Sequence, residues 1–175
     1  HAPFDLGFLT IDIENAKLRF PENILMCTSL LSRALLTTTN HKLQTLVKEL
    51  KLTGGNAHRA YDDAYACLQV FFKCIEKLEA PVAVERLLEI QKKPIQWINY
   101  KISESEDKKI RQLADAIKKD KQIHMIYEGG QTKSTPRPIT PRGIVRNPDG
   151  DYIHAECGLD MQRKRFYIGK ILEII

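Results

Sequence analysis

The spacing of apolar residues along this chain changes once, after Lys121, and that change constrains the fold more than any other feature of the sequence. Before it, apolar residues recur at the 3.6-residue period of helix faces. After it they alternate, as on half-buried strands. A mainly helical part should therefore precede a smaller β part.

In the helical part, residues 8–17 have helix character and Pro21 ends the turn that follows. Residues 24–31 form an apolar run of strand length, although two leucines and Ser29 leave a helix open. A polar cluster at 37–40 caps a helix whose stripe is Leu43, Leu46, Val47 and Leu50. Gly54-Gly55-Asn56 breaks that helix. The longest periodic segment is 60–78, with Ala60, Ala64, Cys67, Phe71, Cys74, Ile75 and Leu78 on one stripe. Pro81 and Pro94 bracket a helix over 82–91. Residues 99–108 are polar and of mixed charge, as in a linker. One more amphipathic helix then presents Ile110, Leu113, Ala114 and Ile117.

In the β part, Ile123, Met125 and Tyr127 alternate with His124, Ile126 and Glu128. Pro136, Pro138 and Pro141 restrict their segment to edge or irregular strands. Asn147-Pro148-Asp149-Gly150 reads as a hairpin turn between strands at 143–146 and 152–157. A last strand is expected over 165–171.

Charge follows the same division. Residues 1–90 carry 10 Lys or Arg against 11 Asp or Glu, whereas residues 91–175 carry 17 against 11. A polyanionic partner suits the basic half, and a solvated lysine surface explains the same numbers. The four cysteines have no CxxC spacing and suggest neither a zinc site nor a disulfide framework, as in a reducing cytoplasm. No apolar run is long enough to span a bilayer, and the opening residues lack the pattern of a signal peptide.

Two acidic stretches could carry chemistry. In His58-Arg59-Ala60-Tyr61-Asp62-Asp63-Ala64, His58 and Asp63 would point about 140° apart on one continuous helix of ~3.6 residues per turn. They converge only if His58 lies in the loop ahead of the helix. Asp63 extends the apolar stripe toward Cys67, and Asp62 falls on the wetter face. An inward carboxylate needs a compensating partner such as a metal ion. Both aspartates also fit an acidic helix N-terminus favoured by the macrodipole, and His58 fits a capping or core histidine. In His1-Ala2-Pro3-Phe4-Asp5-Leu6-Gly7-Phe8-Leu9, Asp5 is an acid among apolar residues and equally a helix N-cap.

Taken together, HAPFDLGFL resembles the second motif of the DEDDh-type 3′–5′ exonucleases, the superfamily of the proofreading epsilon subunit of bacterial DNA polymerase III. Cys27-Thr28, Ser32-Arg33 and Asn40-His41-Lys42-Leu43 resemble its middle. AHRAYDDA resembles its third motif, a histidine followed five positions later by an aspartate. The resemblance covers residues 1–78 in consistent order.

It implies that Asp5 and Asp63 are metal carboxylates and His58 the general base. Phosphodiester hydrolysis places charge on both the attacking and the leaving oxygen, which two divalent ions roughly 3.5–4 Å apart stabilise. Mg²⁺ or Mn²⁺ would take such oxygen ligands, and a histidine can accept the proton of the attacking water. The first motif, an Asp-x-Glu, is absent. Asp12 and Glu14 follow the second motif and cannot replace it. With the first strands and two carboxylates missing, the chain alone is expected to be inactive. Its helices should expose apolar surface or pack on a neighbour.

From Ile123 onward the sequence resembles a WYL domain, a small SH3- or Sm-like β-barrel. The resemblance rests on Ile126-Tyr127, Thr135-Pro136-Arg137-Pro138-Ile139, Asp151-Tyr152-Ile153 and Arg165-Phe166-Tyr167-Ile168-Gly169-Lys170-Ile171. Asp151 and Gly169 depart from the family pattern. Such domains sense ligands, including single-stranded nucleic acid. By alternation Arg163, Arg165 and Tyr167 share one strand face, and Tyr152, His154 and Glu156 share another. Arginine beside an exposed aromatic ring suits phosphate contact with base stacking. Half-buried strand tyrosines and edge-protecting arginines are the plainer alternative. Arg137, in a rigid loop, joins the patch.

The expected fold is thus α/β: an N-terminally incomplete ribonuclease H-like exonuclease fold over 1–98, a linker and helix over 99–121, and a WYL-like barrel over 122–175. The implied function is a 3′–5′ exonuclease of the epsilon type in replication proofreading or repair. Its partners would be single-stranded DNA 3′ ends and a replicative polymerase. The alternative is a non-catalytic nucleic-acid-binding or ligand-sensing protein acting through the basic module.

Overall fold

The computed structural model describes residues 1–56, 59–92, 94–129, 135–146 and 150–175. These form two compact units: His1–Ala2 with Ile24–Ile95, and Pro3–Asn23 with Gln96–Ile175.

The first unit contains β1 (Ile24–Leu25) and the helices α2 (Thr28–Leu35), α3 (Leu43–Glu49), α4 (Ala60–Ile75) and α5 (Val84–Gln91). The run at 24–31 is therefore split between a two-residue strand and a helix. Its backbone groups at the junction are held by Gln91, whose side chain accepts from the Cys27 N–H at 2.7 Å and donates to the Leu25 carbonyl at 3.2 Å. α4 packs on α2 and α3, and α2 on α5. Leu31, Leu46, Val70, Cys74 and Leu87 form the core. Burying each leucine contributes about 1.5–3 kcal/mol.

The buried stripe of α4 is Ala66, Val70 and Cys74; of the expected stripe Cys74 is buried and Phe71 and Leu78 pack against the core, whereas Ala60 and Ala64 are exposed. On another face Tyr61, Tyr65, Leu68 and Phe72 remain open, with Tyr61 80% exposed. The helices of this unit thus enclose a core of their own and also leave apolar surface open on α4.

The second unit contains α1 (Ala2–Asn15), α6 (Lys108–Lys118) and a five-stranded antiparallel sheet. Its strands are β3 (Ile123–Tyr127), β4 (Arg137–Val145), β5 (Tyr152–Cys157), β6 (Arg163–Tyr167) and β7 (Ile171–Ile174), in the order β6-β5-β4-β3-β7. β2 (Ile95–Gln96), which begins on the last residue of the first unit, forms a two-stranded sheet with β1 of that unit. Asp107 caps α6 by accepting from the Lys109 N–H at 2.7 Å. α6 buries Ile110, Leu113 and Ala116 against Met125, Ile139, Ile153 and Phe166. Tyr100 and Ile102 are also buried, so part of the polar stretch at 99–108 reaches the core.

β4 is a central strand and not an edge, despite Pro138 and Pro141. The register shifts between Pro141 and Gly143, and this bulge accommodates the missing N–H where the ladder is broken. The hairpin residues 147–149 lie outside the described residues, but Val145 pairs with Tyr152 on either side of them.

The edge strands β6 and β7 are joined by a 3-10 turn over Ile168–Lys170. Four strand spacings of ~4.8 Å would separate the edges of a flat sheet by about 19 Å. A three-residue 3-10 turn rises only ~6 Å, so the sheet must curl strongly. Among the described residues β6 and β7 do not pair.

Candidate functional site

The AHRAYDDA segment enters α4 through Arg59, whose extended backbone (φ −97°, ψ 125°) makes it the N-cap residue. Asp62 and Asp63 occupy the first turn, where the helix dipole favours negative charge. Their roles divide. Asp62 reaches back over the preceding loop and its Oδ2 accepts the Asn56 N–H at 2.9 Å. Gly55 permits this approach, since a Cβ there would lie 2.7 Å from that of Asp62. Among the described residues Asp63 Oδ1 accepts only a long hydrogen bond from Gln44 Nε2, at 3.5 Å. Both aspartates are half-buried. Asp62 is thus engaged in holding the loop, and Asp63 is the less committed carboxylate. Arg59, Ala60, Tyr61 and Asp62 line an open recess at this helix end. His58 lies outside the described residues.

Asp5 is exposed in the first turn of α1, a helix that buries Pro3, Leu6, Gly7, Thr10 and Ile11 instead. It belongs to the second unit, whereas Asp63 belongs to the first. Among the described residues no three His, Cys, Asp or Glu side chains come together to hold a metal. The described donors therefore do not by themselves fit the two-metal centre that the resemblance implies.

The basic face is built on β5 and β6, where Tyr152 pairs with Tyr167, His154 with Arg165 and Glu156 with Arg163. Arg163, Arg165 and Tyr167 are exposed, with Phe166 buried behind them. Tyr152 is buried rather than open: the Arg165 guanidinium covers its ring at 5.4 Å and Tyr167 meets it edge-on at 6.0 Å. Burial pushes the Tyr152 hydroxyl above its ordinary pKa, partly offset by the Arg165 charge.

Arg137 does not share this face. Its guanidinium lies 5.6 Å from the Phe166 ring, and Nη1 donates to Cys157 Sγ at 3.9 Å. Phe166 and Cys157 are core residues on the opposite side of the sheet.

The sequence reading missed what borders the basic face. Phe4 and Phe8 of α1 meet the His154 ring at 6.0 and 6.1 Å. Burial, then the charges of Arg163 and Arg165, hold His154 below its ordinary pKa. The available signal was glycine: Gly143 leaves space for Phe8, whose ring would lie 2.7 Å from a Cβ at that position.

Among the described residues no helix is long and apolar enough to cross a membrane. No curated protein matches the chain. One similar solved structure is a proteasome accessory factor B/C (PafBC) of Arthrobacter aurescens, 12% identical with a TM-score of 0.37. That likeness covers 99% of this chain, which spans only 38% of the length of the other. Residues 1–71 match the family model RNase_T, described as an exonuclease, and this match supports a nuclease-like hydrolase function for the segment that contains Asp5 and Asp63.

Proposed function

We propose that the chain carries part of a 3′–5′ exonuclease of the DEDDh type, related to the polymerase III epsilon subunit and ribonuclease H-like in fold. A WYL-like β module follows that segment and contacts single-stranded nucleic acid. The observation that carries this reading is the exonuclease match over residues 1–71, which contains both HAPFDLGFL and AHRAYDDA. Asp63 is the acid of the third motif that the loop leaves available, while Asp62 holds Asn56. In this reading Asp5 and Asp63 serve a Mg²⁺ or Mn²⁺ centre and His58 is the base. The first-motif carboxylates would be needed to complete the centre, and no step through a metal is assigned to the residues described.

The exposed row Arg163, Arg165 and Tyr167 supports the nucleic-acid role of the second module. Arginines supply phosphate contacts and an open tyrosine supplies a stacking surface. The short connection between the two edge strands supports an SH3- or Sm-like barrel. Four free cysteines suit a reducing cytoplasm. Proofreading or repair beside a replicative polymerase is the corresponding cellular role. Without a first motif in the gene product, the protein would instead act as a non-catalytic nucleic-acid binder through the basic face.

The test is hydrolysis of 5′-labelled single-stranded DNA by the full gene product and by the 175-residue chain, with Mg²⁺ or Mn²⁺ against EDTA. Metal-dependent 3′ shortening that Asp63→Ala abolishes is the expected result for the full product. Absence of shortening, with salt-sensitive retention of DNA lost in Arg163→Ala/Arg165→Ala, would replace it with the non-catalytic reading.

A further inference from the structure

One cleft of the second unit shares no lining residue with either site described above. It has a volume of about 630 Å³ and is formed by the C-terminal end of α1, residues 17–20, residues 101–103 and α6. That volume is within the ~300–1,000 Å³ of small-molecule sites. Buried Ile11 and Ile102 contribute to its lining, with half-buried Phe20 and exposed Leu18. Five cations surround these apolar groups: Lys17, Arg19, Lys101, Arg111 and Lys118.

The two acids of the cleft are engaged locally. The Glu14 carboxylate accepts the backbone N–H groups of Ile102 at 2.8 Å and Ser103 at 3.1 Å, and also the Ser103 hydroxyl. Asp115 pairs with Lys119 at 2.8 Å. Neither Lys17 nor Lys118 has an ion pair among the described residues. Arg111 donates to the carbonyls of Ser105 and Glu106 at 2.6 and 2.9 Å, contacts that leave its charge unneutralised. Lys101 and Arg19 pair with the exposed Glu104 and Glu22, and solvent screens such pairs heavily. The lining therefore presents excess positive charge beside an apolar surface.

We propose that this cleft binds an organic phosphate with an apolar or aromatic body, of the size of a nucleoside monophosphate. One carboxylate would use little of the available charge, whereas a phosphate monoester carries about −1.5 to −2 at pH 7. An arginine fork and flexible ammonium groups match its oxygens. Phe20 and Leu18 receive the body. The inference is independent of the nuclease reading, because it uses none of Asp5, His58 or Asp63.

Calorimetric titration of the 175-residue chain tests it, with deoxyadenosine monophosphate, deoxyadenosine, inorganic phosphate and a short single-stranded deoxyadenosine oligonucleotide as ligands. The monophosphate should bind more tightly than either the nucleoside or inorganic phosphate. Lys17→Glu and Lys118→Glu should each weaken it by about tenfold, equivalent to ~1.4 kcal/mol. Lys170→Glu, outside the cleft, should not. Phe20→Ala should weaken the monophosphate and leave inorganic phosphate unchanged. Unaltered circular dichroism would verify that the variants fold. No binding of the monophosphate, equal binding of inorganic phosphate, or equal weakening by Lys170→Glu would each overturn the proposal. So would binding of the oligonucleotide alone.

Discussion

Gly7 of α1 and Ile144 of β4 are in backbone contact: a Cβ on Gly7 would overlap the Ile144 carbonyl oxygen and come within 2.9 Å of its carbonyl carbon. This approach seats Phe4 and Phe8 over His154. In an open helix, alanine would improve on glycine by about 1 kcal/mol. Here neither backbone can yield without separating helix from sheet. Gly7→Ala should therefore destabilise the protein by ~1–3 kcal/mol, read from urea unfolding. Gly169 has no atom within 4 Å of a built Cβ, and Gly169→Ala should stay within about 0.5 kcal/mol of the parent. Equal effects at the two glycines would contradict the contact.

His154 gives the second prediction, and its sign follows from burial. Its folded-state pKa lies below the ordinary value, so the unfolded chain takes up the proton first as pH falls. The stability contribution is complete above about pH 6.5, the unfolded value, and is lost as pH falls from there toward the folded pKa. Urea midpoints should be lower at pH 5.5 than at 7.5. His154→Phe retains an aromatic ring against Phe4 and Phe8 and should reduce the decline. An identical decline in parent and variant would remove His154 as its source.

These two predictions involve contacts that local patterning did not contain. Alternation along 163–167 is enough to place Arg163, Arg165 and Tyr167 opposite Phe166, because a strand repeats every two residues. The helix at 108–118 was equally readable, since Ile110 and Leu113 recur at helical spacing. Periodicity does not reveal which partner covers a face. Tyr152 has the parity of an open residue but is covered by Arg165 and Tyr167. Arg137 likewise turns toward Phe166 because of its register. Pro141 argued for an edge or an irregular strand, and the bulge at 141–143 makes β4 an irregular strand in the middle of the sheet. At the candidate site, sequence spacing put Asp63 on the buried stripe and Asp62 on the wetter face. Asp62 is instead the one in helical register with buried Ala66, Val70 and Cys74, and only the geometry gave it the task of holding the loop.

Thiol chemistry should separate the four cysteines. Cys27, Cys74 and Cys157 are buried, whereas Cys67 is half-buried on α4. Burial pushes the Cys74 thiol up to about 11, which suppresses the reactive thiolate at neutral pH. A water-soluble aromatic disulfide reagent should label Cys67 first in the native protein, as identified by peptide mass. The other three should react on unfolding, and Cys67→Ser should remove the native-state labelling. Early modification of Cys74 would show that α4 opens readily from α2.

The neighbouring acids at the entry to α4 provide the sharpest separation of structure from chemistry. Asp62→Ala would remove the acceptor of the Asn56 N–H and loosen the loop leading into the third motif. A lost hydrogen bond of this kind costs about 0.5–1.5 kcal/mol, so its unfolding midpoint should fall. Among the described residues Asp63→Ala loses the long contact to Gln44 and the helix-dipole interaction it shares with Asp62, so it should destabilise less than Asp62→Ala. If the nuclease reading holds, Asp63→Ala should nonetheless abolish hydrolysis by the full gene product, and Asp62→Ala should retain part of it. The two measurements together decide the assignment. Full activity in Asp63→Ala with complete loss in a folded Asp62→Ala would exchange the roles of the two aspartates.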